Sequence, residues 1–200
     1  TAIETTGVGD TIVMRSAEMV CRVNRHPFCL SLETLDGQIL YADKSGMQAR
    51  EDGVVRLTTA LQADESSYGL GERAAGLELR GQRYKLWNTD PPTFLRGSDP
   101  LYYNIPFYLG VHRNGVYGLF WDNSNRAVVD IGAARLDELV YEAEAGEICY
   151  YLFGGADAKR VLSRYTELTG RIMLPPLWAL GYQQCRFSYY PQDTVLKVAA

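Results

Sequence analysis

An antiparallel β-sandwich followed by a βα unit is the architecture predicted by three features of this sequence. From residue 11 to about 153, short β-prone runs succeed one another and helical periodicity is almost absent. Asp36-Gly37, Asp52-Gly53 and Asn114-Gly115 separate such runs. They are strong hairpin signals, because both residues of a tight turn matched to strand twist must accept positive φ. After Phe153 the pattern changes to an amphipathic helix, then an apolar run, then a second helix start. The expected divisions are therefore a mainly β sandwich over 1–153, a helix and connector over 154–176, and the start of a βα unit over 177–200.

The candidate strands are Arg15 with 19–24, then 28–33, 54–61, 105–112, 116–121, 126–131, 138–143 and 148–153, all rich in β-branched and aromatic residues. Several alternate cleanly, as in Phe28, Leu30 and Leu32 against Cys29, Ser31 and Glu33, which predicts one buried face. Two stretches break the strand-turn-strand pattern. YGLGERAAG at 68–76 is glycine-rich but has Ala74 where a dinucleotide fingerprint needs its third glycine, and no Gly-Lys-Ser/Thr follows. It reads as a structural glycine turn. Residues 85–107 form a loop with four prolines and flanking aromatics, and long ordered loops of this kind usually carry function.

Gly154 and Gly155 end the β region, and Asp157 is placed to cap a helix running to about Thr169. Val161, Leu162, Tyr165 and Leu168 form its apolar stripe, and Gly170 stops it. Pro175 and Pro176 then precede residues 177–182, an apolar run without polar alternation that suits a strand buried on both faces of a parallel sheet. Tyr190-Pro191 gives a helix start, with Asp193 at the positive end of the helix dipole. A lone βα unit has no partner for its strand, so the chain reads as the amino-terminal piece of a larger enzyme.

Composition narrows the classes. With 46% hydrophobic and 22% charged residues the chain has material for a core, and a formal charge of -4 gives no electrostatic support for nucleic-acid binding. Aromatics make up 12%, dominated by 14 tyrosines, which suit strands and also sugar-contacting surfaces. Cys21, Cys29, Cys149 and Cys185 are widely spaced among apolar neighbours and are expected as buried free thiols; with only His26 and His112 beside them, no metal or other cofactor is expected. The start TAIETTGVGD has no leader-like pattern, and no apolar run approaches the roughly 20 residues that span a bilayer, so no membrane partner and a cytoplasmic location are expected.

The motifs YGLGER (68–73), LWNTDPP (86–92), DPLYYNIPFYLG (99–110), YGLFWDN (117–123), YTELTGR (165–171) and LPPLWALGYQQCRFSYYPQD (174–193) closely resemble the amino-terminal half of the α-glucosidases and α-xylosidases of glycoside hydrolase family 31. The resemblance runs from Tyr68 to Ala200 in consistent order and spacing. It implies a galactose-mutarotase-like sandwich packed on a (β/α)8 barrel that is truncated here after its first βα unit. It further implies retaining hydrolysis of α-glycosides by two carboxyl groups about 5 Å apart. In the family both are aspartates on later barrel strands, so no catalytic residue is expected in this chain and the piece alone should be inert.

What the resemblance carries onto this chain is substrate contact. Asp90 matches a family aspartate on a sandwich loop that hydrogen-bonds the sugar beyond the scissile bond; the competing explanation is a turn held by the Asp90 side chain ahead of Pro91 and Pro92. Phe187 matches an aromatic wall of the inner sugar subsite, more often Trp or Tyr in the family, and the competing explanation is core packing. Arg186 either orients a barrel carboxylate or forms a structural ion pair. Trp87 and Asn88 flank Asp90, and Trp121, Asp122 and Asn123 end a strand in a turn.

The implied partners are an oligosaccharide or α-glucoside substrate and, within the same protein, the missing barrel; self-association is left open. Two other classes compete with the enzyme piece. One is a free-standing, non-catalytic carbohydrate-binding sandwich, and the other is a packing domain in which neither Asp90 nor Phe187 meets sugar. The tail separates them, since a binding module has no use for an apolar strand and helix over 177–200.

Overall fold

The computed structural model describes residues 2–183 and 189–200. The chain folds into two compact units, Thr1–Leu168 and Thr169–Ala200.

The larger unit is an antiparallel β-sandwich. Its strands are β1 (Glu4–Val8), β2 (Thr11–Arg15), β3 (Met19–Arg25), β4 (Phe28–Thr34), β5 (Ile39–Ala49), β6 (Val55–Ala60), β7 (Ser66–Gly71), β8 (Gln82–Leu86), β9 (Asn104–His112), β10 (Gly115–Trp121), β11 (Ala127–Ile131), β12 (Glu138–Ala143) and β13 (Tyr150–Gly155). A 9-stranded sheet runs β1-β2-β3-β4-β5-β6-β12-β11-β8, and a 4-stranded sheet runs β13-β10-β9-β7. The predicted strand runs reappear within a residue or two. The sequence reading missed β1, most of β2, β5, β7 and β8. Asp43 to Gly46 put polar residues and a register shift in the middle of β5, and glycines interrupt β7, so neither shows a clean apolar alternation.

The hairpins form where expected, but with different turns. Gly37 donates to the Thr34 carbonyl while Thr34 donates to that of Gln38, and Gly53 and Arg50 repeat this arrangement with Val54. These are three-residue loops with the glycine alone at positive φ, +83° and +86°. The β9–β10 turn consists of Arg113 and Asn114, because His112 already pairs with Gly115. The expectation that both residues of each dipeptide take positive φ is therefore corrected: Asp36, Asp52 and Asn114 do not.

Alternation along β10 explains the layering. Tyr117, Leu119 and Trp121 enter the main core between the sheets, with Leu57, Tyr41, Val129 and Leu139 opposite. Val116 and Phe120 point to the other face, where Phe107 and the fully buried Val161 complete a second cluster. Val161 lies on α1 (Ala158–Thr169), whose N-terminus is capped by Asp157 Oδ1 accepting from Arg160 N at 2.8 Å. Tyr165 of the same helix stacks on Phe107 at 4.1 Å. Gly118 is what admits the helix, since a Cβ there would sit 2.8 Å from both Phe107 and Val161. So α1 covers the outer face of the small sheet.

YGLGER is not a simple turn. It is the end of β7, with Gly69, Leu70 and Gly71 all at positive φ and a register shift against β9. A Cβ at Gly69 would lie 2.4 Å from the Phe107 carbonyl oxygen, and one at Gly71 2.3 Å from that of Tyr103. Both glycines are required by close backbone approach. Among the cysteines, Cys21 and Cys29 are free and half-buried, whereas Cys149 is exposed, against the expectation of burial; Cys185 lies outside the described residues.

In the smaller unit, Leu177–Leu180 form a 3-10 turn closed by Gly181 N–H on the Trp178 carbonyl at 3.2 Å, not the expected strand. A strand exists through ladder bonds to neighbours, and no strand of this unit is among the described residues. Leu177 and Trp178 stand 86% and 78% exposed. The second helix, α2 (Gln192–Ala199), begins directly after Pro191, with Asp193 in its first turn and Lys197 in its last, the charge order that a helix dipole favours.

Candidate functional site

The loop between β8 and β9 is ordered by its own two legs. Thr89 N–H donates to the Leu101 carbonyl at 3.0 Å, and Asn88 Oδ1 accepts from Asn104 N–H at 2.8 Å and from its Nδ2 at 3.1 Å. Tyr102 Oη donates to the Pro91 carbonyl at 3.2 Å, while Phe94 packs edge-on against the Tyr102 ring. Asp90 sits between these clamps, exposed to solvent. Its carboxylate makes no hydrogen bond among the described residues, so the turn ahead of Pro91 is not held by that side chain.

The base of the loop is tied down by charge. Asp99 Oδ1 accepts from Arg73 Nη1 at 2.7 Å and its Oδ2 from Lys85 N–H at 2.7 Å. Arg73 is a buried guanidinium whose pKa is pulled down by that burial and held up by the Asp99 charge. It also donates to the Leu70 carbonyl at 2.7 Å and lies over the Tyr84 ring. Arg73 and Asp99 were not singled out from the sequence. Arg73 ends YGLGER and Asp99 opens DPLYYNIPF, but nothing in either motif says that they meet.

Beside the loop lies a groove of about 430 Å³ lined by Trp87, Asn88, Asn104, Asp122, Asn123 and Asn125. The structure thus brings together Trp87 and Asn88 from one motif with Asp122 and Asn123 from another. Asn123 has structural work: its Nδ2 donates to the Ala145 and Glu147 carbonyls, and its Oδ1 accepts from Asn125 N–H at 2.8 Å. Trp121 is buried, stacked on Tyr141 at 4.5 Å. Trp87 is 44% exposed, with the Arg126 guanidinium 4.7 Å above its ring. A ring face, amides and the Asp122 carboxylate side by side match the mixed apolar and polar surface of a sugar. Arg186 and Phe187 lie outside the described residues. Among the described residues, no group of His, Cys, Asp and Glu is assembled that would hold a metal ion.

The chain is similar to known proteins along most of its length. The chain is 36% identical over 197 residues to Alpha-glucosidase 2 of Bacillus thermoamyloliquefaciens, covering 95% of this chain and 24% of that protein. It is 37% identical over 172 residues to Alpha-xylosidase XylQ of Lactiplantibacillus pentosus, covering 82% and 22%. A Flavobacterium johnsoniae GH31 dextranase solved in complex with glucose superposes with a TM-score of 0.87 at 34% identity, over 98% of this chain and 24% of that one. The chain therefore spans about a quarter of the length of these relatives. Residues 1–130 match the model described as the glycosyl hydrolase 31 N-terminal galactose mutarotase-like domain, and it is to this family that the chain belongs.

Proposed function

We propose that the chain is the amino-terminal part of a retaining α-glycosidase acting on terminal α-linked glucose or xylose, in which the sandwich packs on a catalytic barrel and its β8–β9 loop touches the sugar beyond the scissile bond. The observation that carries this reading is the alignment with an α-glucosidase across 197 residues, which covers 95% of this chain and so runs past the sandwich. In this reading 1–153 is the sandwich, 154–176 the helix and connector, and 177–200 the entry to the barrel, whose first strand forms only beside its neighbours. The two catalytic carboxyl groups lie on later barrel strands, and Asp90 contributes binding. A carboxylate exposed on a clamped loop suits that task, since each oxygen accepts from a sugar hydroxyl with no partner among the described residues to displace. Phe187 as a wall of the inner subsite and Arg186 beside it enter on the family resemblance alone.

The test is Asp90→Ala in the complete enzyme. Loss of a charge-assisted hydrogen bond worth about 1.5–3 kcal/mol lowers kcat/KM for an α-linked disaccharide by roughly 10-fold or more. Unchanged kinetics removes Asp90 from the site. The reading as a whole fails if the complete reading frame lacks aspartate-bearing barrel strands after Ala200, which would instead favour a non-catalytic carbohydrate-binding sandwich.

A further inference from the structure

Three segments distant in sequence converge on one guanidinium. Arg73 Nη2 donates to the Leu70 carbonyl at 2.7 Å, at the strained end of β7 where Leu70 itself has φ +61°. Arg73 Nη1 donates to Asp99 Oδ1 at 2.7 Å and to the Lys85 carbonyl at 3.2 Å. The Arg73 side chain is 4% exposed and that of Asp99 17%, so solvent screens this pair little. Asp99 uses its second oxygen on Lys85 N–H, which leaves both carboxylate oxygens engaged. From Asp99 the path to Asp90 is short: Leu101, two residues on, accepts from Thr89 N–H, and Thr89 precedes Asp90. A further clip, Gly97 N–H on the Ala74 carbonyl at 2.5 Å, joins the residue after Arg73 to the same loop.

This is more than a loop needs for closure alone. Thr89, Asn88 and Tyr102 already hold the two legs to each other; the Arg73–Asp99 pair instead fixes the paired legs against the sheet. We propose that Arg73, acting through Asp99, is a positioning residue for substrate recognition: it sets where the Asp90 carboxylate stands when a disaccharide occupies the site. The inference rests on the reading of Asp90 as a contact to the sugar beyond the scissile bond. Lysine cannot replace arginine here, because one ammonium cannot present the planar fork that reaches Leu70, Lys85 and Asp99 together. Asparagine cannot replace aspartate, because its amide offers one acceptor oxygen to two donors.

The complete enzyme decides it, with kcat/KM measured on an α-linked disaccharide and on the matching nitrophenyl α-glycoside, whose leaving group has no hydroxyl for Asp90 to accept from. The ratio of the two values is independent of the fraction of enzyme that is folded, so it separates positioning from general damage. Arg73→Lys and Asp99→Asn are each expected to lower that ratio by about 10-fold, as Asp90→Ala does, and the Asp90→Ala, Arg73→Lys double variant to fall no further than Asp90→Ala alone. An unchanged ratio in both Arg73→Lys and Asp99→Asn, with Asp90→Ala lowering it, overturns the inference and leaves the Asp90 contact standing. Additive losses in the double variant overturn it as well, since Arg73 would then act by another route. An unchanged ratio in Asp90→Ala alone removes the contact itself, and the positioning role with it.

Discussion

Tyr117 Oη donates a 2.6 Å hydrogen bond to Glu65 Oε1 in the interior of the sandwich. Tyr108 Oη donates to the same oxygen at 2.7 Å, and Gln62 N–H donates to Oε2 at 3.1 Å. Gly110 makes room for this carboxylate, as a Cβ there would stand 2.5 Å from Oε1. Glu65 is 3% exposed, and that burial raises its pKa above the ordinary glutamate value of 4.5, against the hydrogen bonds from Tyr117 and Tyr108 that lower it.

The consequence is a stability that depends on pH in a defined direction. A carboxyl whose folded pKa exceeds its unfolded one stabilises fully below the unfolded value, and that contribution is lost as pH rises through the folded value. Glu65→Gln keeps one acceptor for the tyrosines but never ionises. As pH rises above the ordinary glutamate value, the difference in unfolding free energy between the variant and the parent should therefore move in favour of the variant. Urea unfolding at several pH values measures it, and a difference that does not change with pH contradicts the assignment.

Gly71→Ala should destabilise the fold more than most surface changes in this chain. The new Cβ would meet the Tyr103 oxygen at 2.3 Å and the Ile105 nitrogen at 2.7 Å, at a φ of +83°. Backbone, not a movable side chain, is in the way, and the expected loss is at least about 3 kcal/mol by thermal or chemical unfolding. Gly53→Ala, also at positive φ but with nothing within 4 Å of its Cβ, should cost clearly less.

Val161→Ala tests whether α1 is part of the sandwich's cooperative unit. Removing two methyl-sized groups from a fully buried site against Phe107 and Val116 should cost about 2 kcal/mol. If α1 were merely attached, circular dichroism would show the helix melting separately from the sheets; a single shifted transition is expected.

Asp130→Ala should loosen the connection between β11 and β12. Its Oδ1 accepts from Ala133 N–H at 2.9 Å and Ala134 N–H at 3.2 Å, and the residue is nearly buried. Leaving those two donors without their acceptor should cost about 1–3 kcal/mol in unfolding experiments.

Local chemistry made much of this molecule legible before its structure. The strands over 28–33 and 138–143 were visible because apolar residues alternate along them, that over 116–121 because it is a dense β-prone run after a turn signal, and α1 because its cap, its apolar stripe and Gly170 all agree. Where local signals conflict, as in β5 with Asp43, Lys44 and Gly46, or in β7 with its run of positive φ, pattern alone misses the strand: cross-strand pairing overrides propensity there.

The candidate site divides the same way. Asp90, Trp87 and Asn88 are neighbours in the chain, and their motif marks the loop. Residue order alone thus determined the β-rich class, the hairpin positions, the helix and the extent of the proline-rich loop, because each depends on side chains within a few positions of one another. Only the tertiary structure decided that Arg73 holds Asp99 across 26 residues, that Glu65 lies beneath Tyr108 and Tyr117, and that Gly118 admits α1. Such pairs depend on strand order and sheet packing, which bring together residues whose separation along the chain carries no periodic signal.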